Sequence, residues 1–397
     1  MSHLFWVGQL FFIPLRCNFL LHIKEGEMFL YAIKERYKSG TKMVQSYNKI
    51  SISPKETMKK QQWAKTYSLY NVIKFLQNCP DSKLYKSYYN SLHCAHVKLL
   101  TMDEKTEKMK ITSTYCKNRW CYVCNRIRTA VNISHYLPQI NEFANPFFVT
   151  LTLPTCPAED LKERIEHILK MWRNIYKRSF NGKRLKEVAE KDINLSGVRS
   201  IECTLRPNGM YHIHMHLIVD GWYNAEWVVK QWLKLHPEAY RGAQDIRKIY
   251  VKTEAEPLNI GGLMEVFKYA LKMSVNAKKN EDYERMNLVF EAFKGKRLFS
   301  SFGNVKALRL DEKDEDELMN IVAQEAGEEL EARFGNETRS FIWQPDLYDW
   351  VDKKTGEMLI GEPIPDRIHG IVKSVEELIQ SGKLPKTRDE AKIQFAK

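Results

Sequence analysis

The sequence predicts an α+β protein: an antiparallel central sheet with helices packed on one face, joined to a small four-cysteine module near the N-terminal end. Three observations predict it. Residues 211–220 read YHIHMHLIVD, so His212, His214 and His216 share one side while Ile213, Met215, Leu217 and Val219 share the other. That is the period of a strand with one buried face. Two more strand-like runs, FFVTLTLPT at 147–155 and the stretch around 198–205, bracket a strongly amphipathic helical segment. Finally, CKNRWCYVC at 116–124 gathers three of the chain's 8 cysteines into nine residues.

Composition limits the function. The 397 residues are 44% hydrophobic and 12% aromatic, enough for packed cores and too much for a disordered chain. Net charge is +13, unevenly placed: residues 311–397 hold 21 acidic and 12 basic side chains, leaving +22 on the first 310. A basic body with an acidic tail suits a polyanion, because lysine and arginine displace counterions from phosphates. Residues 4–21 are apolar, but Pro14 and Arg16 interrupt them and no Lys or Arg precedes them. They read neither as a membrane span nor as a secretory signal. The expected location is cytoplasmic, and residues 1–42 read as an upstream translation extension, with Met28 and Met43 following as starts. The expected organisation is an extension over 1–60, partly non-native or disordered, a helical and cysteine module over 61–135, a main domain over 136–310 and an acidic tail region over 311–397.

The cysteine module comes first in chain order. Cys116, Cys121 and Cys124 form C-x4-C-x2-C. A Cys-x-x-Cys knuckle turns both thiolates toward one ion, and tetrahedral zinc needs one more ligand. Cys94 in LHCAHV is the expected fourth, with His93 and His96 as alternatives. The 21 residues between Cys94 and Cys116 hold KLLTM and KMKITST around a charged turn, which suits a hairpin. Four thiolates close the coordination sphere, so the expected Zn2+ is structural. Lys117, Arg119, Arg126 and Arg128 surround the knuckle, and we expect them to meet DNA phosphates.

Next, residues 147–155 are an apolar strand ended by Pro154, and 158–178 form a helix burying Leu161, Ile165, Ile168, Leu169, Trp172 and Ile175. Asn208–Gly209 marks a hairpin turn before the histidine strand. Register follows from burial. If odd residues pair with odd, Ile201, Cys203 and Leu205 join Ile213, Met215 and Leu217 in the core, and Glu202 falls on the histidine face. A one-residue slip would bury Glu202 among apolar groups and expose Ile201. The connecting loop therefore holds an odd number of residues, and Glu202 is a candidate third ligand beside the imidazoles. Two imidazoles and a carboxylate suit Mn2+ or Mg2+ with waters. A helix over 224–235, a strand over 245–252 and a helix near 261–278 complete the order β-α-β-β-α-β-α.

The last helix, GGLMEVFKYALKMSVN, places Met264, Phe267, Leu271 and Ser274/Val275 at core spacing, with Glu265, Tyr269, Lys272 and Asn276 on the opposite stripe. A tyrosine can attack a phosphodiester, a divalent metal can polarise the scissile phosphate, Lys272 can stabilise developing charge and Glu265 can act as general base.

Together FVTLTLP, HIHMHLIV and KYALK resemble the three ordered motifs of HUH endonucleases, and more narrowly the rolling-circle replication initiators (Rep proteins) of small bacterial plasmids. HC…YCKNRWCYVC, IECTL, EVFKYALK and GKRLFSSFGNVKAL also resemble segments of that family, over about 90–310. The resemblance implies an HUH/Rep endonuclease fold, Tyr269 as nucleophile, His214 and His216 as the metal pair, Lys272 as the lysine of the third motif and Glu265 as the group driving hydrolytic termination. Ile213 stands where the family usually has proline, which leaves the role of His212 open. The implied partners are single-stranded origin DNA of a plasmid and a host helicase and DNA polymerase, with no membrane. Lys268 joins Arg119, Arg126 and Arg128 as an expected DNA contact, and an oligomer is allowed. Alternatives are a related single-strand transposase or relaxase, and a catalytically silent zinc-containing DNA-binding regulator.

Overall fold

In a computed structural model the described residues are 54–104, 107–181, 193–249, 266, 280–307 and 327–361. Residues 1–53 of the expected extension, the acidic run 311–318, Glu265, Lys268, Tyr269 and Lys272 lie outside them, whereas 54–60, read as part of that extension, begin a helix.

The histidine strand β5 (Tyr211–Asp220) sits at the centre of a five-stranded antiparallel sheet ordered β6-β3-β5-β4-β7. Its neighbours are β3 (Pro146–Thr152) and β4 (Gly197–Leu205), with β6 (Asp245–Lys248) and β7 (Phe299–Phe302) at the edges. The β4–β5 register pairs Ile201 with Met215, Cys203 with Ile213 and Glu202 with His214, odd with odd as the burial argument requires. The turn is not a two-residue loop. Arg206 N–H donates to the Met210 carbonyl and Gly209 N–H to the Arg206 carbonyl, with Gly209 at φ +84°. This is a three-residue loop closed by a left-handed glycine, so Gly209 supplies the positive φ and Asn208 keeps a negative one.

The odd face of the sheet carries the main core. Ile201, Cys203, Ile213, Met215 and Leu217 pack under three helices, α4 (Leu161–Asn181), α5 (Trp222–Leu235) and α6 (Asn280–Phe293). The predicted stripe of α4 is buried at Leu161, Ile165, Ile168, Trp172 and Ile175, with Leu169 partly covered.

Helices on one face alone was the expectation, and here the structure corrects it. The second half of α3 (Tyr122–Ile140) lays Tyr136 and Ile140 on the histidine face, against Phe148, Val198 and Ile218. Those three apolar residues share the even face with the histidines, and leaving them in water would forfeit roughly 1.5–3 kcal/mol each. The even face is thus apolar and covered at one end, and polar toward His212.

A second sheet, ordered β2-β1-β8-β9, is built on the expected hairpin of β1 (Val97–Asp103) and β2 (Lys108–Ser113). Its other half comes from far down the chain: β8 (Arg339–Gln344) pairs with β1, and β9 (Asp349–Asp352) with β8. Phe341, Trp343 and Trp350 fill the core beneath, along with Leu330 and Phe334 of α7 (Gly327–Phe334) and Leu69 and Ile73 of α1 (Pro54–Asn78). Part of the segment read as an acidic tail is therefore integral to the cysteine module. The remaining helix, α2 (Tyr85–Leu92), leads into Cys94.

Candidate metal centres and the histidine face

Four sulfurs converge at one point. Cys94, Cys116, Cys121 and Cys124 each place Sγ within 4.8 Å of the others. Cys94 and Cys124 stand 3.5 Å apart, Cys116 and Cys124 3.6 Å. A tetrahedron with ~2.3 Å metal–sulfur bonds has edges of about 3.8 Å, so the geometry fits zinc. Cys121 precedes α3 and Cys124 lies in its first turn, while Cys94 follows α2 and Cys116 lies in the loop after β2. Ser68 Oγ lies 3.4 Å from Cys121 Sγ, and Cys116 Sγ donates to Ser91 Oγ at 3.4 Å. His93 and His96 stand outside the four-residue group.

Lys65, buried on α1, was missed by the sequence reading. Its ammonium donates to the carbonyls of Leu92 at 2.8 Å and Cys94 at 2.5 Å. Burial lowers its pKa while the neighbouring cysteines raise it. Four thiolates around Zn2+ carry a net double negative charge, which a buried ammonium at this spot offsets. Nothing in the spacing of a long helix singles this lysine out; only the docking of α1 on the cysteine loop does.

The second cluster lies on the even face. Glu202, His214 and His216 each offer a ligand atom within 4.8 Å of the others, and all three are buried. Glu202 Oε2 lies 3.2 Å from His214 Nε2 and 3.9 Å from His216 Nε2. Thr150, opposite His216 on β3, holds its Nδ1 at 3.2 Å and so turns Nε2 toward the carboxylate. Two imidazoles and one carboxylate fit a divalent ion that keeps open positions for water or phosphate.

His212 shares the face but both its nitrogens are engaged. Arg206 donates to Nδ1 at 2.8 Å, which makes Nε2 the protonated nitrogen facing Thr152 Oγ1 at 2.5 Å. Burial, aided by His214 and Arg206, pushes its pKa down to about 4, so it stays neutral. The structure groups Glu202, not His212, with the other two histidines.

The knuckle arginines have local partners. Arg119 donates to the Lys296 carbonyl, and Arg128 to the Lys117 carbonyl at 2.6 Å. Arg126 is enclosed beside Tyr122, and burial lowers its pKa.

The described residues contain no helix long and apolar enough to cross a membrane.

An antiparallel sheet that groups a carboxylate and two imidazoles, in a chain that also gathers four cysteines, defines a protein of α+β class with two candidate metal sites. Comparison then supplies the family. A family model described as "Replication protein" matches residues 107–349, which takes in three of the four clustered cysteines, the histidine strand and the Tyr269 segment. "Protein rep" of Lentilactobacillus hilgardii is 27% identical over 281 residues, covering 63% of this chain and 86% of that protein. No solved structure matches the chain. The chain belongs to the replication protein family, and plasmid replication initiation is the function that this membership carries.

Proposed function

We propose that the protein initiates rolling-circle replication by nicking and rejoining single-stranded origin DNA on an HUH endonuclease fold. The observation that carries the reading is the Glu202–His214–His216 cluster, whose ligand atoms lie within 4.8 Å of one another on the even face of the sheet. A Mn2+ or Mg2+ ion bound there would withdraw charge from a scissile phosphate. The chain's own residues do the rest. Tyr269 attacks the phosphorus through its phenolic oxygen, the bond to the 3′ oxygen breaks, and a 5′-phosphotyrosine and a free 3′-hydroxyl remain. Lys272 stabilises the charge that develops, Lys268 holds backbone phosphate, and Glu265 deprotonates the water that later releases the strand.

Support for bringing Tyr269 to the cluster comes from Val266. It is helical and buried in the apolar group formed with Phe148, Val198 and Ile218, on the histidine side of the sheet. Three residues of chain reach at most about 11 Å. The sequence pattern had put Met264 and Phe267, rather than Val266, on the buried stripe.

The cysteine cluster, holding Zn2+, would brace the module that abuts this domain. A host helicase and polymerase would extend the 3′ end, in the cytoplasm. The test is a labelled single-stranded origin oligonucleotide with Mn2+. A covalent adduct should form with the wild-type chain and vanish in Tyr269→Phe. Glu265→Gln should still nick yet release DNA slowly, at least ~10-fold below wild type. Tight binding without any adduct would instead identify a silent DNA-binding regulator.

A further inference from the structure

The metal cluster sits inside a longer row of planar groups on the even face. Arg206 donates to His212. The rings of His212 and His214 are 5.5 Å apart, those of His214 and His216 4.7 Å, and those of His216 and Phe148 5.1 Å. The Arg247 guanidinium then lies 5.2 Å from the centre of the Phe148 ring. The line thus begins and ends in a guanidinium, with the carboxylate and two imidazoles in its middle.

Both arginines are exposed, and both are held in place. The loop carrying Arg206 is clamped by Arg285, which donates to the Arg206 carbonyl at 2.8 Å and stacks over Tyr211 at 5.7 Å. Arg247 sits on edge strand β6, paired with Phe148, where Asp245 holds its Nε at 2.5 Å. That contact is made through Nε, so the terminal nitrogens are not what Asp245 approaches most closely. An exposed guanidinium fixed by its Nε is suited to phosphate contact through its outer edge. A buried ion pair would bring the same groups inward; here 68% of the Arg247 side chain remains open to water.

We propose that Arg206 and Arg247 grip the single strand's phosphates on either side of the scissile position, so that the strand bridges the two exposed ends of this row. The inference rests on the nickase reading for the word scissile, but the grip itself does not need catalysis. Asp245 then acts as a restraint on binding: its carboxylate, beside Arg247, repels the phosphate that Arg247 attracts.

Anisotropy titrations of the full chain with a labelled single-stranded oligonucleotide in EDTA, over a range of salt, test this without metal or turnover. Each lost phosphate contact lowers the salt slope, the change in log K with log salt, by about 0.7 for a single strand. Arg247→Gln and Arg206→Gln should each lower that slope by this amount and weaken binding about tenfold. Asp245→Asn should tighten binding. With Mn2+, both arginine variants should raise the KM for DNA and leave the rate at saturating DNA close to wild type. Unchanged salt slopes in both arginine variants would overturn the strand path even if adducts form, and weaker binding in Asp245→Asn would overturn the restraint. If the wild-type chain forms no adduct while the slopes fall as stated, the nickase reading fails and the strand path stands.

Discussion

Glu202 is a carboxylate only 5% exposed, set between two imidazoles. Burying a carboxylate is costly, and a divalent ion held by Glu202, His214 and His216 would offset that cost. Replacing it with glutamine removes the charge and keeps the shape. We expect Glu202→Gln to melt no lower than wild type when metal-free, to lose the rise in Tm that Mn2+ gives the wild type, and to nick at least ~100-fold more slowly; thermal scans with and without Mn2+ read the first two. Glu202 was legible in the sequence because strand register is a two-fold choice that burial decides. Thr150 and Arg206 were not, since each acts through an atom on another strand or loop. His212 shows the limit of pattern: its alternation with His214 and His216 is faultless, yet Arg206 and Thr152 occupy both its nitrogens.

At the scale of elements, two tests address the cysteine module. Cys124→Ser removes one corner of the sulfur tetrahedron and the first-turn anchor of α3. Bound zinc measured by elemental analysis should drop, and stability should fall by more than ~3 kcal/mol. The second test concerns Lys98 on β1, whose ammonium is buried over Trp350 at 4.5 Å and donates to Gln61 at 2.5 Å. Burial lowers its pKa to about 7, opposed by Asp349. The unfolded chain holds that proton to about pH 10.4, so between these values the unfolded state binds more protons. Stability should therefore rise from pH 7 toward pH 10 by a few kcal/mol from this residue, and its full cost is present below pH 7. Lys98→Met should flatten that rise in urea melts at a series of pH values. The β1–β2 hairpin was readable from its alternation, whereas the burial of Lys98 was not, because it follows from Trp350 packing across the sheet.

For the whole molecule, the unexpected feature is closure of the first module by the last described segment. Trp343 N–H donates to the His96 carbonyl, and Trp350 Nε1 to the Ala95 carbonyl at 2.8 Å, these acceptors being the two residues directly after Cys94. A chain ending at residue 336 would expose the edge of β1 and empty the places of Phe341, Trp343 and Trp350, each worth about 3–5 kcal/mol. We expect that truncation to aggregate or to lose zinc, read by sedimentation and elemental analysis. A chain ending at residue 361 should retain both the fold of this module and its metal.

What the sequence determined alone was whatever repeats locally: the strand period of 211–220, the helical stripe of 158–178, the knuckle spacing of 116–124 and, through register, the face on which Glu202 falls. Each follows from a fixed backbone geometry acting over a few residues. Tertiary structure decided the rest. Helix α3 covers the apolar end of the histidine face, Lys65 meets the cysteine loop, and β8 completes a sheet begun some 240 residues earlier. Such contacts are chosen by the burial of complementary surfaces, and no short-range pattern encodes which distant surface will be complementary.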